Sequence, residues 1–262
     1  MQTVSIVGCG WLGLPLSIQL QSKNYNVIGT SRSNETLSEL KRLGIRPQPL
    51  DLKDDTPIPL SIRESQFIVL NIPPRRKVQP IENYQKLILN FIRQLSTTTE
   101  KLIFISTTSV YQNDNKEYTE EMANSVNPLY VLEEEIKKLF KNTIVLRCAG
   151  LVSEDRLIVD SLSRKQKAVQ PNVKVNLVKR IDVIRAIETA LKSKKIHSGT
   201  YNICSDNHPT KKECYGMWAS QFGHTIKFSE DKETGKIISN KAFKDDFNFE
   251  YTCPSPLEFF DN

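Results

Sequence analysis

Over the first 150 residues, apolar positions fall into short β-like runs separated by stretches that repeat every three to four residues. Residues 3–7 (Thr-Val-Ser-Ile-Val) carry β-branched Val4, Ile6 and Val7 and predict a short buried strand. Leu12, Leu16 and Leu20 then recur at four-residue spacing and predict a helix over 12–23, with Pro15 tolerated in its first turn. A second strand is expected at Asn26–Thr30 and a second helix at about Glu35–Leu43, stopped by Gly44. Residues 45–50 contain prolines and suit a strand near a sheet edge. Residues 53–65 are a polar connection with one helical turn. Gln66–Ile72 is nearly unbroken in its apolarity, as in a central parallel strand covered on both faces. Tyr84, Leu87, Ile88, Phe91, Ile92 and Leu95 predict a helix over 80–96, and their stripe reads as core. A strand at Lys101–Ser106, an irregular polar stretch over 112–127, a helix at Pro128–Phe140 and a strand at Thr143–Arg147 complete this half.

After Gly150 the rhythm loosens. Residues 151–175 read as a basic helical segment and a short extended piece, followed by a helix near Val183–Leu191 and a strand at Gly199–Cys204. Thr210 and Glu213 form a capping box that opens a helix to Phe222, which Gly223 stops. A short helix near Asn240–Phe247 and the Pro254-Ser-Pro256 segment end the chain. The pattern predicts an α/β fold: a Rossmann-type doubly wound parallel sheet in residues 1–150, with 151–262 forming a small α+β substrate lobe. Residues 176–204 are expected to return to the sheet.

The junction of the first strand and helix carries the clearest chemistry. Gly8, Gly10 and Gly13 stand in a Gly-x-Gly-x-x-Gly spacing between a predicted strand and a predicted helix, the context that gives this motif its meaning. Gly8 allows the tight turn, Gly10 lets backbone approach a pyrophosphate, and Gly13 lets helix and strand pack closely. The helix N-terminus then offers N–H groups and a positive dipole end to the phosphates. This is a dinucleotide site. Where NAD-specific sites place an acidic residue after the second strand, this chain has Thr30-Ser31-Arg32-Ser33. The Arg32 guanidinium and the Ser31 hydroxyl suit a 2′-phosphate, so NADP is expected over NAD. Asp51 and Leu52, closing the third strand, are expected to meet the adenine. Arg75, Arg76 and Lys77 follow the central strand at its carboxyl end, where ligands bind in open α/β sheets. They read either as contacts to a ligand phosphate or as an exposed charge cluster.

Composition narrows the remaining classes. The 262 residues are 39% hydrophobic and 25% charged, as in an ordinary soluble protein. No apolar run is long enough to span a membrane, and strand one begins too early for a signal peptide. The five cysteines have no paired spacing and read as reduced packing thiols, which points to the cytoplasm. A formal charge of +6 comes without a basic-aromatic pattern, so nucleic acid is not an expected partner. His197, His208 and His224 are scattered, which argues against a metal site. The absence of Gly-x-Ser-x-Gly argues against a Ser-His-Asp hydrolase.

Taken in order, these blocks resemble the extended short-chain dehydrogenase/reductase superfamily, the NAD-dependent epimerase/dehydratase group, and within it the small atypical YeeZ-like branch. The resemblance spans nearly the whole chain. Gly8-Cys-Gly10-Trp11-Leu12-Gly13, Thr30-Ser31-Arg32 and Asp51-Leu52 resemble its cofactor half, and Asn71-Ile72-Pro73-Pro74 resembles the segment that runs along the cofactor. Ser106-Thr-Thr-Ser-Val-Tyr111 resembles the S-[ST]-x-x-V-Y block, which implies that Thr107 takes the place of the catalytic Ser/Thr. Leu146-Arg147-Cys-Ala-Gly150, Tyr201-Asn202-Ile203 and Lys236–Lys241 match further blocks. The resemblance implies hydride transfer on a small polar or nucleotide-sugar substrate.

Two departures bear on activity. Members of the superfamily pair a catalytic Tyr with a Lys four residues on, which lowers the tyrosine's pKa and holds the nicotinamide ribose. Here the only tyrosine on the helix is Tyr130, and Glu134 stands four residues later. A carboxylate there is expected to raise the tyrosine's pKa rather than lower it. The His-x-x-Asp of the superfamily is also replaced, with Lys179 three residues before Asp182. Thr107 and Tyr130 remain the candidates for positioning substrate and moving a proton, with Tyr111 as an alternative donor. The two readings are an NADP-dependent oxidoreductase or epimerase, and a catalytically degenerate NADP(H)-binding sensor or interaction protein resembling NmrA-like relatives.

Overall fold

The computed structural model describes residues 1–52, 57–74, 79–166, 168–230 and 234–261. Its elements run β1 (Thr3–Val7), α1 (Gly13–Ser22), β2 (Asn26–Ser31), α2 (Asn34–Arg42), β3 (Arg46–Pro49), α3 (Leu60–Arg63), β4 (Phe67–Leu70), α4 (Ile81–Arg93) and β5 (Lys101–Thr107). There follow β6 (Glu117–Tyr118), α5 (Pro128–Leu139), β7 (Thr143–Cys148), β8 (Gly150–Val152), α6 (Ile158–Lys165), β9 (Leu177–Lys179), α7 (Arg180–Lys192), β10 (Gly199–Ile203), α8 (Lys211–Gln221), β11 (Ile237–Ile238) and α9 (Lys241–Phe247). Seven strands form one parallel sheet in the order β10-β7-β5-β4-β1-β2-β3. The chain winds outward from β1 through β2 to β3, then crosses to β4 on the other side of β1. That reversal opens a crevice at the carboxyl ends of β1 and β4, the switch point at which open α/β sheets bind ligands.

The central strands are buried along their whole length, Phe67–Leu70 and Ile144–Leu146 among them, because helices cover both faces. Proline-rich β3 lies at the sheet edge, as expected of a strand with missing N–H donors. Strand β10, from the later chain, forms the other edge of the sheet beside β7.

The contacts divide the chain into two compact units. Unit 1 comprises Met1–Ser106, Ser125–Leu146 and Ile187–Thr200; unit 2 comprises Thr107–Asn124, Arg147–Ala186 and Tyr201–Asn262. The division is interleaved, whereas the sequence reading cuts once at residue 150. Unit 2 takes the chain back after β5, and the stretch expected to be irregular over 112–127 contains β6, paired in parallel with β11. A second small pairing joins β8 to β9. The core of unit 2 gathers on Trp218, fully buried and stacked on Phe259 at 6.0 Å between ring centres. The capping box on α8 is formed as predicted, with Thr210 and Glu213 each satisfying the other's backbone N–H.

Candidate dinucleotide cradle and active site

The glycine loop is held from three sides within unit 1. The Gly8 N–H donates to Thr30 Oγ1 at 3.0 Å, and the Cys9 N–H to the Thr30 carbonyl at 2.7 Å. Asn71, at the end of β4, donates its side-chain amide to the Gly8 carbonyl at 3.1 Å and its backbone N–H to Val7 at 2.9 Å. Gly8 has φ +106°, a conformation that favours glycine, and a Cβ there would come within 2.5 Å of the Asn71 carbonyl. A Cβ on Gly13 would lie 2.3 Å from the Gly8 carbonyl, so helix and loop pack as closely as the motif requires. Beneath the loop, the Cys9 thiol meets Ser17 Oγ at 3.3 Å, and burial pushes it up to about 11, out of the range of a reactive thiolate.

Gly10 differs from its two partners. A Cβ there would meet nothing within 4 Å, so the space on that side of the loop is open. The helix that follows offers no competitor for an anion. Leu12, its N-cap, makes no side-chain capping bond, and no acidic residue stands in the first turn. Trp11 is half-buried beside it. These features fit a dinucleotide.

At the end of β2, Ser31 Oγ accepts from the Ser33 N–H at 3.0 Å, and Ser33 caps α2. Arg32 stands between them, with Nη1 3.6 Å from the Asp51 carboxylate and both side chains well exposed. Asp51 therefore sits beside the guanidinium that the sequence assigns to a 2′-phosphate. Leu52 is half-buried, Ile72 uses its carbonyl to hold the Tyr84 hydroxyl at 2.8 Å, and Pro73 continues the segment after β4. The basic cluster Arg75, Arg76 and Lys77 lies outside the described residues.

Unit 1 also holds a buried carboxylate that the sequence reading overlooks. Glu133 on α5 is fully buried and accepts a short hydrogen bond from Ser106. Its signal was present in the chain: a charge on the apolar face formed by Leu129, Leu132 and Ile136. Tyr130 is half-buried in the first turn of the same helix, behind the Asn127 cap. Glu134, which replaces the superfamily's lysine, pairs with Lys137 at 2.6 Å, so a neighbouring cation offsets its charge.

In unit 2, Thr107 ends β5 half-buried, and its hydroxyl accepts from the Ser109 N–H at 3.2 Å, capping a single 3₁₀ turn over Thr108–Val110. Tyr111 follows that turn and is almost completely buried. Its hydroxyl donates to Asn202 Oδ1 at 2.7 Å and accepts from Arg147 Nη1 at 2.8 Å, with the guanidinium 5.3 Å over the ring. Burial pushes this phenol up to about 12 despite Arg147. The sequence reading offers Tyr111 as an alternative proton donor; the structure engages its hydroxyl in a buried structural network instead. Arg147 also donates to the Glu120 carbonyl at 2.7 Å, and the Asn202 N–H donates to the Glu120 carboxylate at 2.8 Å. Lys236 donates to the carbonyls of Thr108 and Tyr111 at 3.0 and 2.8 Å, tying down both ends of the turn after Thr107.

Unit 2 also holds a recess of about 980 Å³ lined by Asn115, Gln170, Lys174, Lys212, Phe228 and Lys236 among others. Gln170 is 6% exposed and donates to Ser229 Oγ at 3.3 Å, while its Oε1 has no partner among the described residues. Turning the amide over leaves the other end unpartnered, so one polar end of the group stays buried and unpaired either way. No described helix is long and apolar enough to cross a membrane, and no described group of three His, Cys, Asp or Glu residues is placed to hold a metal.

No family model matches the chain. Protein YeeZ of Escherichia coli strain K12 is 31% identical over 272 residues, an alignment covering 98% of each protein. The chain belongs to the YeeZ family. Among solved structures, MoeE5 in complex with UDP-glucose and NAD superimposes with TM-score 0.78 at 13% identity, covering 98% of this chain and 95% of that one. The UDP-glucuronic acid 4-epimerase of Bacillus cereus in complex with NAD gives 0.76 at 15% identity with the same coverage. A functionally unknown conserved protein from Silicibacter pomeroyi DSS gives 0.72 at 15% identity, covering 98% of this chain and 96% of that one. At these identities the likeness is one of fold: this YeeZ-family chain has the fold of NAD-dependent epimerase/dehydratase proteins of the short-chain dehydrogenase/reductase type.

Proposed function

We propose that this YeeZ-family protein is an NADP(H)-dependent oxidoreductase or epimerase-like enzyme acting on a small polar, nucleotide-linked substrate. The observation that carries the reading is the glycine loop, locked at Gly8 and Gly13 yet open at Gly10, in front of a helix with no side-chain cap. Gly8, Gly10, Trp11, Leu12 and Gly13 would hold the pyrophosphate. Asn71, Ile72 and Pro73 would line the cofactor, and Asp51 and Leu52 would meet the adenine. Arg32 keeps N–H groups for a 2′-phosphate while Asp51 steadies it from one side. NAD in the solved complexes of MoeE5 and the Bacillus cereus epimerase supports a dinucleotide of this class.

A bound nicotinamide supplies or accepts the hydride. The chain's own part would be to orient the reacting carbon and to move one proton. Thr107, fixed by the 3₁₀ turn that Lys236 ties down, would hydrogen-bond the substrate oxygen, with Tyr130 as the proton donor. In unit 2, the ammonium groups of Lys174 and Lys212 beside the recess suit a phosphate. UDP-glucose in MoeE5 is a ligand of that chemistry. Screening nucleotide sugars and small carbonyls for oxidation of NADPH tests the reading, with Thr107→Val and Tyr130→Phe each expected to lower kcat by about 10²-fold or more.

A second reading rests on Glu134, which stands where a lysine would and already engages Lys137. On that reading the protein is an NADP(H)-binding sensor or interaction module. Tight NADPH binding with no turnover across the screen would favour it.

A further inference from the structure

At the end of unit 1 opposite the glycine loop lies a cavity of about 560 Å³. It is bounded by Gln2 before β1, by Phe67 and Lys101 at the starts of β4 and β5, and by the carboxyl ends of α1 and α7. Tyr25, Phe67 and Leu191, all buried, give it an apolar floor. Lys23, Lys192, Lys194 and His197 stand around it, all exposed.

Two helix carboxyl ends would ordinarily repel an anion. Here their carbonyls are already satisfied. Lys101, only 2% exposed, donates its ammonium to the carbonyls of Ala190, Leu191 and Ser193 at 2.8, 3.5 and 2.7 Å. The last carbonyls of α1 accept from the N–H groups of Lys23, Asn24 and Tyr25. What faces the cavity is then largely positive. Lys192 pairs with Glu188, which Gln19 also holds at 2.9 Å, while Lys23 and Lys194 have no ion pair among the described residues. Glu100, the lining carboxylate, accepts from Gln66 at 2.7 Å, and His197 Nε2 lies 2.9 Å from the Lys194 carbonyl.

Tyr25 is the second, independent sign. It is 7% exposed, its ring meets Phe67 edge-on at 6.2 Å, and its hydroxyl makes no hydrogen bond among the described residues. Burial raises this phenol above its ordinary value, with Lys192 pulling the other way. This hydroxyl, unpartnered among the described residues and reaching the floor of a lysine-rimmed cavity, is open to an acceptor from outside the chain.

We propose that this cavity binds a small organic anion, an aryl phosphate or carboxylate, with its ring on Phe67 and Leu191. Its acid group accepts from the Tyr25 hydroxyl and from the ammonium groups of Lys23 and Lys192. The five residues of β1 separate this cavity from the glycine loop by about 17 Å, so anion and dinucleotide bind independently.

The test is a titration of the ¹⁵N-labelled full chain with phenyl phosphate, followed through its backbone amides, beside inorganic phosphate as the ringless control. Saturable shifts are expected at Asn24, Tyr25, Ser193 and Lys194, tighter for phenyl phosphate than for phosphate. Tyr25→Phe, which keeps the ring, and Lys192→Met, at an exposed position, should each weaken binding about tenfold. Saturating NADPH and the Gly10→Val change should leave it unaltered. Absence of saturable shifts at these amides, wild-type affinity in both variants, or displacement by NADPH would each overturn the proposal. The titration reads no turnover, so its failure leaves the proposed reaction standing.

Discussion

Asn71 donates its side-chain amide to the Gly8 carbonyl at 3.1 Å, joining the end of β4 to the end of β1 across the point where the sheet reverses. The bond fixes the peptide at the entrance to the glycine loop before any ligand arrives. Asn71→Ala removes it without filling space. A net contribution of about 0.5–1.5 kcal/mol predicts a loss of roughly threefold to tenfold in NADPH affinity, read by fluorescence titration. An unchanged affinity would show that the loop needs no such anchor.

Arg32 and Asp51 stand 3.6 Å apart in solvent, and exposed pairs of this kind contribute little to stability. On the proposed function, the part of Arg32 is ligand choice. Charge-assisted bonds to a 2′-phosphate contribute about 1.5–3 kcal/mol, so Arg32→Ala should cost at least roughly tenfold in NADPH affinity and little for NADH. Equal losses for the two cofactors, or a wild-type preference for NADH, would contradict the assignment.

The fully buried Glu133 carboxylate accepts from the Ser106 hydroxyl. Truncation to alanine empties the carboxylate's space and strands a buried hydroxyl. Glu133→Ala should therefore lower the unfolding free energy by about 2–3 kcal/mol in urea, and Glu133→Gln by less, since its amide oxygen still accepts. A loss below about 0.5 kcal/mol for alanine would mean the pair is not formed.

Much of unit 1 was legible because its signals are local. The strand Thr3–Val7, the three glycines and the Leu16/Leu20 stripe lie within twenty residues, and each constrains the next. The expectation of NADP rests on a residue type at one position, and Asp51, nineteen residues on, becomes Arg32's neighbour only when β3 pairs with β2. The single cut at residue 150 fails because 107–124 belongs with the later chain. β6 has two residues, and its partner β11 follows about 120 residues later, so no periodicity announces it. Tyr111 looked like a donor because its burial depends on Arg147 and Asn202, both remote in sequence.

Acid should act on Glu154 in unit 2. Burial pulls its carboxyl up, but its own backbone N–H, Ser153 and Lys179, the last at 3.0 Å, together bring it down to about 2. A carboxyl lowered on folding stabilises above its unfolded pKa and loses that contribution as pH falls towards the folded value. The melting temperature of Glu154→Gln should therefore lie below wild type near neutral pH, and the gap should close between about pH 4.5 and 2. A gap that persists at pH 2 would point to packing rather than charge.

The central claim is that a dinucleotide lies on the open side of Gly10. A Cβ there meets no protein atom within 4 Å, so a side chain is tolerated by the fold and intrudes only on the ligand. Fluorescence titration of NADPH into wild type and Gly10→Val, with thermal melts alongside, tests this directly. The account predicts saturable binding to wild type and none to the variant, with melting temperatures that agree within about 2 °C. A folded Gly10→Val protein that binds NADPH as wild type does would place the dinucleotide elsewhere.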